Sequence, residues 1–276
     1  MPELPEVETI ARGLAQRAIG DVIESVWIGE KPQPLKSSAQ EIAGALEGAK
    51  IAGVERIGKH IVIELSKTRN GQPSANSQWI VHLGMTGSLL VAPADAEIAK
   101  HTHLIARLRS GRELRFVDPR RFGRLAVRQA SDGNAWAVGR EPLEISSDDF
   151  AALFRGHKTP IKSALLNQKL LRGVGNIYAD EALHRAGIRP RRRASSITRA
   201  GFKTLHKHLQ TVLRQAIAAG GSSISDYVDV SGESGNFQFR HRVYGREGEP
   251  CRRCKCSIKR IVIAGRSAHY CPHCQK

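Results

Sequence analysis

The chain has 276 residues, 41% of them apolar, enough for one large or two modest domains with a proper core. It carries 43 Lys+Arg against 26 Asp+Glu, a formal charge of +17, and that excess implies a polyanionic partner, nucleic acid being the usual one. No run of about 18 apolar residues occurs, so no membrane span is expected, and the acidic start Met1-Pro2-Glu3-Leu4-Pro5-Glu6 lacks the pattern of a secretory signal, so a cytoplasmic location is expected.

A helix is expected from Pro5, with Glu6 and Glu8 in its first turn and Val7, Ile10, Ala11 and Leu14 at helical spacing. Strands are expected over Val22–Ile28, Ile61–Leu65, Trp79–Leu83, His103–Leu108 and Leu114–Val117, which are short and rich in β-branched residues. A second helix is opened by a capping box, Ser38 with Glu41, and stopped by Gly48. The Gly-, Asn- and Ser-rich stretch Thr68–Ser77 reads as a long mobile loop with no assigned function. A β-sandwich or barrel with a leading helix fits this first part, over residues 1–132.

Order is lost over 129–147, where Ser131-Asp132-Gly133-Asn134 reads as a turn, and a linker is expected over 133–150. Helices dominate 151–224. Thr159-Pro160 caps one. Thr198 caps another, whose Phe202, Leu205, Leu209, Val212, Leu213 and Ala216 form an apolar stripe ending at Gly220-Gly221. Residues 225–276 form a last part, a Gly-rich loop and a cysteine-bounded hairpin. The fold class expected is α+β.

All five cysteines lie between 251 and 274. Cys251-Arg252-Arg253-Cys254 and Cys271-Pro272-His273-Cys274 are two CxxC knuckles separated by sixteen residues (255–270), a spacing at which four thiolates close a tetrahedral Zn²⁺ site. One structural zinc is expected, because four cysteines leave no coordination position for a water. Cys256 is left over. Arg266 sits near the tip of the hairpin between the knuckles, where it suits a phosphate contact or a solvated surface.

Methionine before proline is normally removed, which exposes Pro2 as a free secondary amine. An α-amino group has a pKa of roughly 7.7–8.0, so a fair fraction is unprotonated at neutral pH. Such an amine can attack a sugar C1′ and collapse to an iminium. Glu3 lies beside it and can move protons between steps, and Glu6 can hydrogen-bond nearby. The residues alone leave open that Pro2 is only a protective end and that Glu6 and Glu8 serve the helix dipole.

Pro2-Glu3-Leu4-Pro5-Glu6-Val7-Glu8-Thr9 resembles the amino terminus of the bacterial formamidopyrimidine-DNA glycosylases. Gly58-Lys59, His82-Leu83-Gly84-Met85-Thr86-Gly87, Asp118-Pro119-Arg120-Arg121-Phe122-Gly123, Gly173-Val174-Gly175-Asn176-Ile177-Tyr178-Ala179 and the four-cysteine finger follow in the family's order. The resemblance implies an N-terminal β-sandwich and a helix–two-turn–helix domain with a zinc-finger hairpin. It implies a glycosylase and abasic-site lyase acting on duplex DNA that holds oxidised purines or abasic sites, as a monomer.

By resemblance Pro2 is the nucleophile, Glu3 the acid/base partner and Glu6 a support, and Lys59 holds a phosphate next to the lesion. Met85, Arg120 and Phe122 fill the void left by a flipped nucleotide. As core residues Met85 and Phe122 would have an ordinary explanation, but the glycines at 84, 87 and 123 favour exposed turns. Asn176 caps the helix starting at Ile177 and meets a phosphate. Lys162 lies near the lesion, and His82 and Arg266 contact DNA.

Gly221-Ser222-Ser223-Ile224-Ser225-Asp226-Tyr227 resembles the loop that folds over the everted base. Ser225 stands where some members carry Lys or Arg, so the backbone N–H groups of 224–227 are left to recognise the base. An endonuclease VIII-type glycosylase for oxidised pyrimidines and a non-catalytic zinc-ribbon DNA-binding protein are the rival readings.

Overall fold

The structure, a computed structural model, describes residues 1–69, 72–134 and 136–276. The chain divides into two compact units, Met1–Trp136 with Gly220–Asn236, and Ala137–Ala219 with Phe237–Lys276.

The first unit opens with α1 (Leu4–Ala18), which carries Pro5 in its first turn, where a missing N–H costs nothing. Then come β1 (Ile23–Ile28), α2 (Ala39–Leu46), β2 (Lys50–Ile57), β3 (His60–Arg69), β4 (Gln72–His82), β5 (Ser88–Pro93), β6 (Thr102–Leu108), β7 (Arg112–Val117) and β8 (Arg124–Gln129). They form two antiparallel sheets, ordered β1-β6-β7-β5 and β2-β3-β4-β8. One core joins the sheets: Leu104, Leu114 and Phe116 from the first, Ile61, Ile63, Trp79 and Val81 from the second, and Ile10 and Leu14 from α1. Two separate sheets around a shared core make this a sandwich rather than a closed barrel.

The Ser38 box forms as expected: Ser38 Oγ accepts the Glu41 N–H at 3.1 Å and Glu41 accepts the Ser38 N–H at 2.7 Å. The long loop expected over Thr68–Ser77 does not. β3 continues to Arg69 and β4 starts at Gln72, with pairs running out to Arg69↔Gln72. Backbone pairing sustains a ladder through a polar sequence, so Gly-, Asn- and Ser-rich composition did not decide the matter. Asn70 and Gly71 lie outside the described residues.

The second unit holds α3 (Ser147–Leu153), α4 (Ile161–Leu165), α5 (Asn176–Ala186), α6 (Arg199–Ala218) and the hairpin β9 (Lys259–Ile263)–β10 (Arg266–Tyr270). The segment expected to be a linker up to 150 ends inside α3, because Ser146 Oγ caps that helix by accepting the Asp149 N–H at 3.1 Å. Thr198 caps α6, accepting the Gly201 N–H at 3.1 Å, and the whole stripe from Phe202 to Ala216 is buried. Phe154 stacks on Phe202 with ring centroids 5.6 Å apart.

Candidate active site and nucleic-acid interface

Met1 is exposed and Pro2 is buried beneath it, directly before the N-cap of α1. Glu3, at that cap, and Glu6, one turn on, are both buried. One Glu6 oxygen accepts the Glu3 N–H at 2.9 Å and the other accepts the Ser222 N–H at 2.7 Å. Tyr227 completes the clasp, its hydroxyl donating to the Gly220 carbonyl at 3.0 Å. Burial and then the Glu6 charge push the Tyr227 hydroxyl well above its ordinary value, so it stays a donor. Gly221 has φ 83°, and a Cβ there would meet Glu6 at 3.0 Å. The 220–227 loop can therefore approach the carboxylate only as glycine.

Gly58-Lys59 is the two-residue turn of the β2–β3 hairpin, between paired Ile57 and His60. Gly58 alone takes a positive φ, 60°, as the first residue of a type II′ turn requires. Across the sheet His60 pairs with His82, and His82 with Arg124, so the three share one face beside Lys59. The His60 and His82 rings lie 4.8 Å apart, and Trp136 packs edge-on to His60 at 5.0 Å. Burial first, then His60, Lys59 and Arg124, depress the His82 pKa to about 4. His82 is thus neutral at pH 7. Its Nδ1 accepts the Gly84 N–H at 3.1 Å, which leaves the proton on Nε2 as a donor.

Met85 and Phe122 are 40% and 51% exposed, so neither is a core residue. Arg120 is exposed too, its guanidinium 4.7 Å above the Phe122 ring. Their two turns meet backbone to backbone. A Cβ on Gly84, whose φ is 66°, would sit 2.5 Å from the Gly123 nitrogen. The buried Asp118 carboxylate fastens the pair, accepting from Thr86 at 2.6 Å and from the Gly123 N–H at 2.7 Å. The arrangement presents two apolar tips and a cation on a rigid base.

In the second unit Gln168 shapes the Gly173–Gly175 turn, accepting the Gly173 N–H at 2.9 Å and donating to the Val174 carbonyl at 2.8 Å. Asn176 does not cap α5. Gly175 occupies the cap and Asn176 is the first helical residue, its amide donating to Ser267 at 3.2 Å. Lys162 does not face solvent either. It is 1% exposed, and its ammonium donates to Asp180 at 2.6 Å and to the Ser267 carbonyl. Asp180 in turn accepts the His269 N–H at 2.8 Å. Burial and these bonds make Lys162 the post that holds the hairpin. Arg266 stands exposed at the start of β10, after a turn whose Ala264 and Gly265 have φ of 47° and 75°.

The sulfurs of Cys251, Cys254, Cys271 and Cys274 all lie within 4.8 Å of one another, with Cys251–Cys274 at 3.9 Å and Cys254–Cys271 at 3.3 Å. Tetrahedral Zn–S bonds of about 2.3 Å place sulfurs roughly 3.8 Å apart, so the donor set fits one structural Zn²⁺. Cys256 is exposed and stands outside the group. Among the described residues the apolar cluster around the thiolates is small, Val243 and Ile258 with two of the cysteines, as expected of a finger that folds with its metal.

Three family models match in order: the formamidopyrimidine-DNA glycosylase N-terminal domain over 1–125, the H2TH domain of the same enzymes over 138–228, and a zinc finger found in FPG and IleRS over 248–276. A formamidopyrimidine-DNA glycosylase of Solibacter usitatus is 46% identical with 100% of both chains covered. This chain belongs to the formamidopyrimidine-DNA glycosylase family. A variant of the Lactococcus lactis FPG protein in complex with Fapy-dG-containing DNA matches with a TM-score of 0.90 and 33% identity over 100% of both chains. A complex of the Lactococcus lactis protein with abasic-site DNA matches at the same score and identity over 99% of each chain.

The family's enzymes are glycosylases of base excision repair, and the helical and finger parts found here are its H2TH and zinc-finger modules. The motifs quoted from the sequence missed His60, Arg124 and Trp136, which reach the Lys59–His82 face only through strand register and packing. They also assigned no role to Asp118. The signal for Asp118 was a buried-type acid beside Pro and Gly in an otherwise basic turn.

Proposed function

We propose that this glycosylase removes oxidised purines from duplex DNA and then cuts the strand, with the Pro2 amine as nucleophile. The Glu6 clasp carries the reading: it fixes the turn holding Pro2 and Glu3 against Ser222, at the head of a loop suited to cover a base. Once Met1 is removed, the Pro2 nitrogen lone pair attacks C1′ and the C1′–N9 bond breaks, the purine leaving with the bond electrons and a proton. The sugar opens as O4′ is protonated, a task that suits Glu3, and an iminium forms between Pro2 and C1′. The iminium acidifies C2′–H. Loss of that proton expels the 3′ phosphate, and a second elimination expels the 5′ phosphate.

An enzyme attacking C1′ must first take the nucleotide out of the stack. Met85 and Phe122 are shaped to fill the gap, and Arg120 to hydrogen-bond the opposite base. Lys59 and the Nε2–H of His82 suit the phosphate beside the lesion. Asn176, at the N-terminus of α5, and Arg266 suit neighbouring phosphates. Lys162 acts on DNA only by positioning the hairpin. With Ser at 225, exposed backbone N–H groups near Ile224 are left to read the base. Zinc holds Cys251, Cys254, Cys271 and Cys274 together and supplies folding, not chemistry.

We assign catalysis to the unit Met1–Trp136 with Gly220–Asn236, which includes the covering loop, and helical and finger contacts with DNA to the unit Ala137–Ala219 with Phe237–Lys276. Among the described residues no helix is long and apolar enough to cross a membrane, and we place the enzyme in the bacterial cytoplasm, on DNA. The Fapy-dG complex of the Lactococcus lactis relative supports a purine substrate.

Borohydride trapping on 8-oxoguanine duplex tests the reading. Wild type should form a covalent adduct at residue 2, and Pro2→Gly should lose it. No wild-type adduct on any oxidised or abasic duplex would overturn the mechanism, and faster excision of thymine glycol than of 8-oxoguanine would overturn the purine assignment.

A further inference from the structure

Five arginines, Arg185, Arg240, Arg242, Arg252 and Arg253, line one cavity of about 430 Å³ in the second unit. That volume lies within the range of small-ligand sites, about 300–1,000 Å³, and none of its lining residues is acidic. None is a residue proposed above to touch the lesion strand. Two of the guanidiniums are pinned: Arg185 donates to Gln215 at 2.7 Å and Arg252 to the Phe239 carbonyl at 3.1 Å. The Arg185 Nε is buried without a hydrogen-bond partner. An unpartnered buried donor is costly, and an anion that draws the Arg185 guanidinium toward itself recovers that cost.

Compensation within the protein does not account for so much positive charge. Glu181 acts on Arg185 as a single negative charge; one of its oxygens accepts the backbone N–H groups of Arg242, Val243 and Tyr244 at 2.8, 2.9 and 3.1 Å, and the other has no hydrogen-bond partner. Zinc bound to four thiolates bears a formal charge of about −2. Five guanidiniums exceed both together. Burial, and then the charge of Arg242, lower the Arg185 pKa, and the one opposing charge, Glu181, does not offset them.

We propose that this cavity is a phosphate-binding site separate from the lesion-binding surface, taking a phosphate-type anion between the guanidiniums of Arg185 and Arg242. Planar guanidiniums meet phosphate oxygens in pairs, which is the geometry such anions select. The phosphate comes either from a free polyphosphate anion or from the backbone of duplex DNA, and one experiment separates the two.

Zinc-loaded wild type and Arg185→Gln/Arg242→Gln are titrated with pyrophosphate by calorimetry, and with lesion-free duplex at several salt concentrations. The double variant should bind pyrophosphate at least tenfold more weakly, with zinc content and borohydride adduct yield unchanged. If duplex backbone is an occupant, its salt slope also falls by about 0.9 for each phosphate that the variant no longer neutralises; if only free anions bind, that slope stays. Equal pyrophosphate binding together with an equal salt slope overturns the site and leaves the arginines as partners of the zinc centre alone. Should the variant lose zinc, phenylglyoxal labelling of wild type decides: pyrophosphate or duplex should shield Arg185 and Arg242, and labelling unaffected by both sinks the proposal.

Discussion

The sandwich and the finger keep their functional residues in place by opposite means. In the sandwich the turns that present Met85, Phe122 and Lys59 rest on an apolar core drawn from both sheets and α1. In the finger Arg266 rests on four thiolates, a buried Lys162–Asp180 pair and a few small apolar contacts, among them Ile258, Ile263 and Ala268. Spread-out hydrophobic support gives way gradually when one piece is removed, whereas support gathered in a few polar bonds fails as a whole.

Removing the metal should break that comparison most sharply. Structural zinc contributes roughly 10 kcal/mol or more to finger folding. Chelation should strip hydrogen-exchange protection from residues 251–276 and abolish DNA binding, while amides of β3 and β4 keep theirs. Equal loss in both regions would show that the sandwich also depends on zinc.

Lys162→Ala comes next. It leaves the Asp180 carboxylate buried beside an empty space and should cost about 3–5 kcal/mol in denaturant unfolding of the second unit. A loss under about 1 kcal/mol, as a surface lysine would give, would contradict its role as the post of the hairpin.

The sandwich offers a milder, pH-dependent test. The His82 pKa is about 4 in the fold against an ordinary 6.5. A histidine whose folded value is depressed leaves stability intact above about 6.5 and removes it as pH falls toward 4, here by about 3 kcal/mol at most. His82→Gln should make the loss of thermal stability across that window shallower, with His60, His184 and His241 supplying the rest; an unchanged slope would mean His82 is not among the titrating groups. The smallest effect sharpens the contrast at one helix end: Ser38→Ala should lower stability by about 1 kcal/mol and leave excision rates alone.

Much of this was legible in the chain itself. Ser38 and Thr198 announced their helices because capping is local, and the four cysteines announced their metal because ligand spacing is local too. Strands β2, β5 and β8 were not foreseen. β2 is half exposed and interrupted by Gly53, β8 begins on an exposed arginine, and β5 is a short edge strand ending in Pro93, as edge positions tolerate. Lys162 read as one basic residue among many, because the groups that bury it, Asp180 and Ser267, are distant in sequence. The His60–His82–Arg124 row escaped for the same reason: register is decided by sheet pairing, not by neighbours along the chain.

Glu6 joins places 216 positions apart in the polypeptide through its two oxygens. Whatever lifts Ser222 away frees one oxygen of that carboxylate a single helical turn from the proposed nucleophile, and whatever shifts the first turn of α1 unhooks the far loop. Reaction centre and cover thus move as one mechanical part, so the amine is fully braced only while the cover is latched.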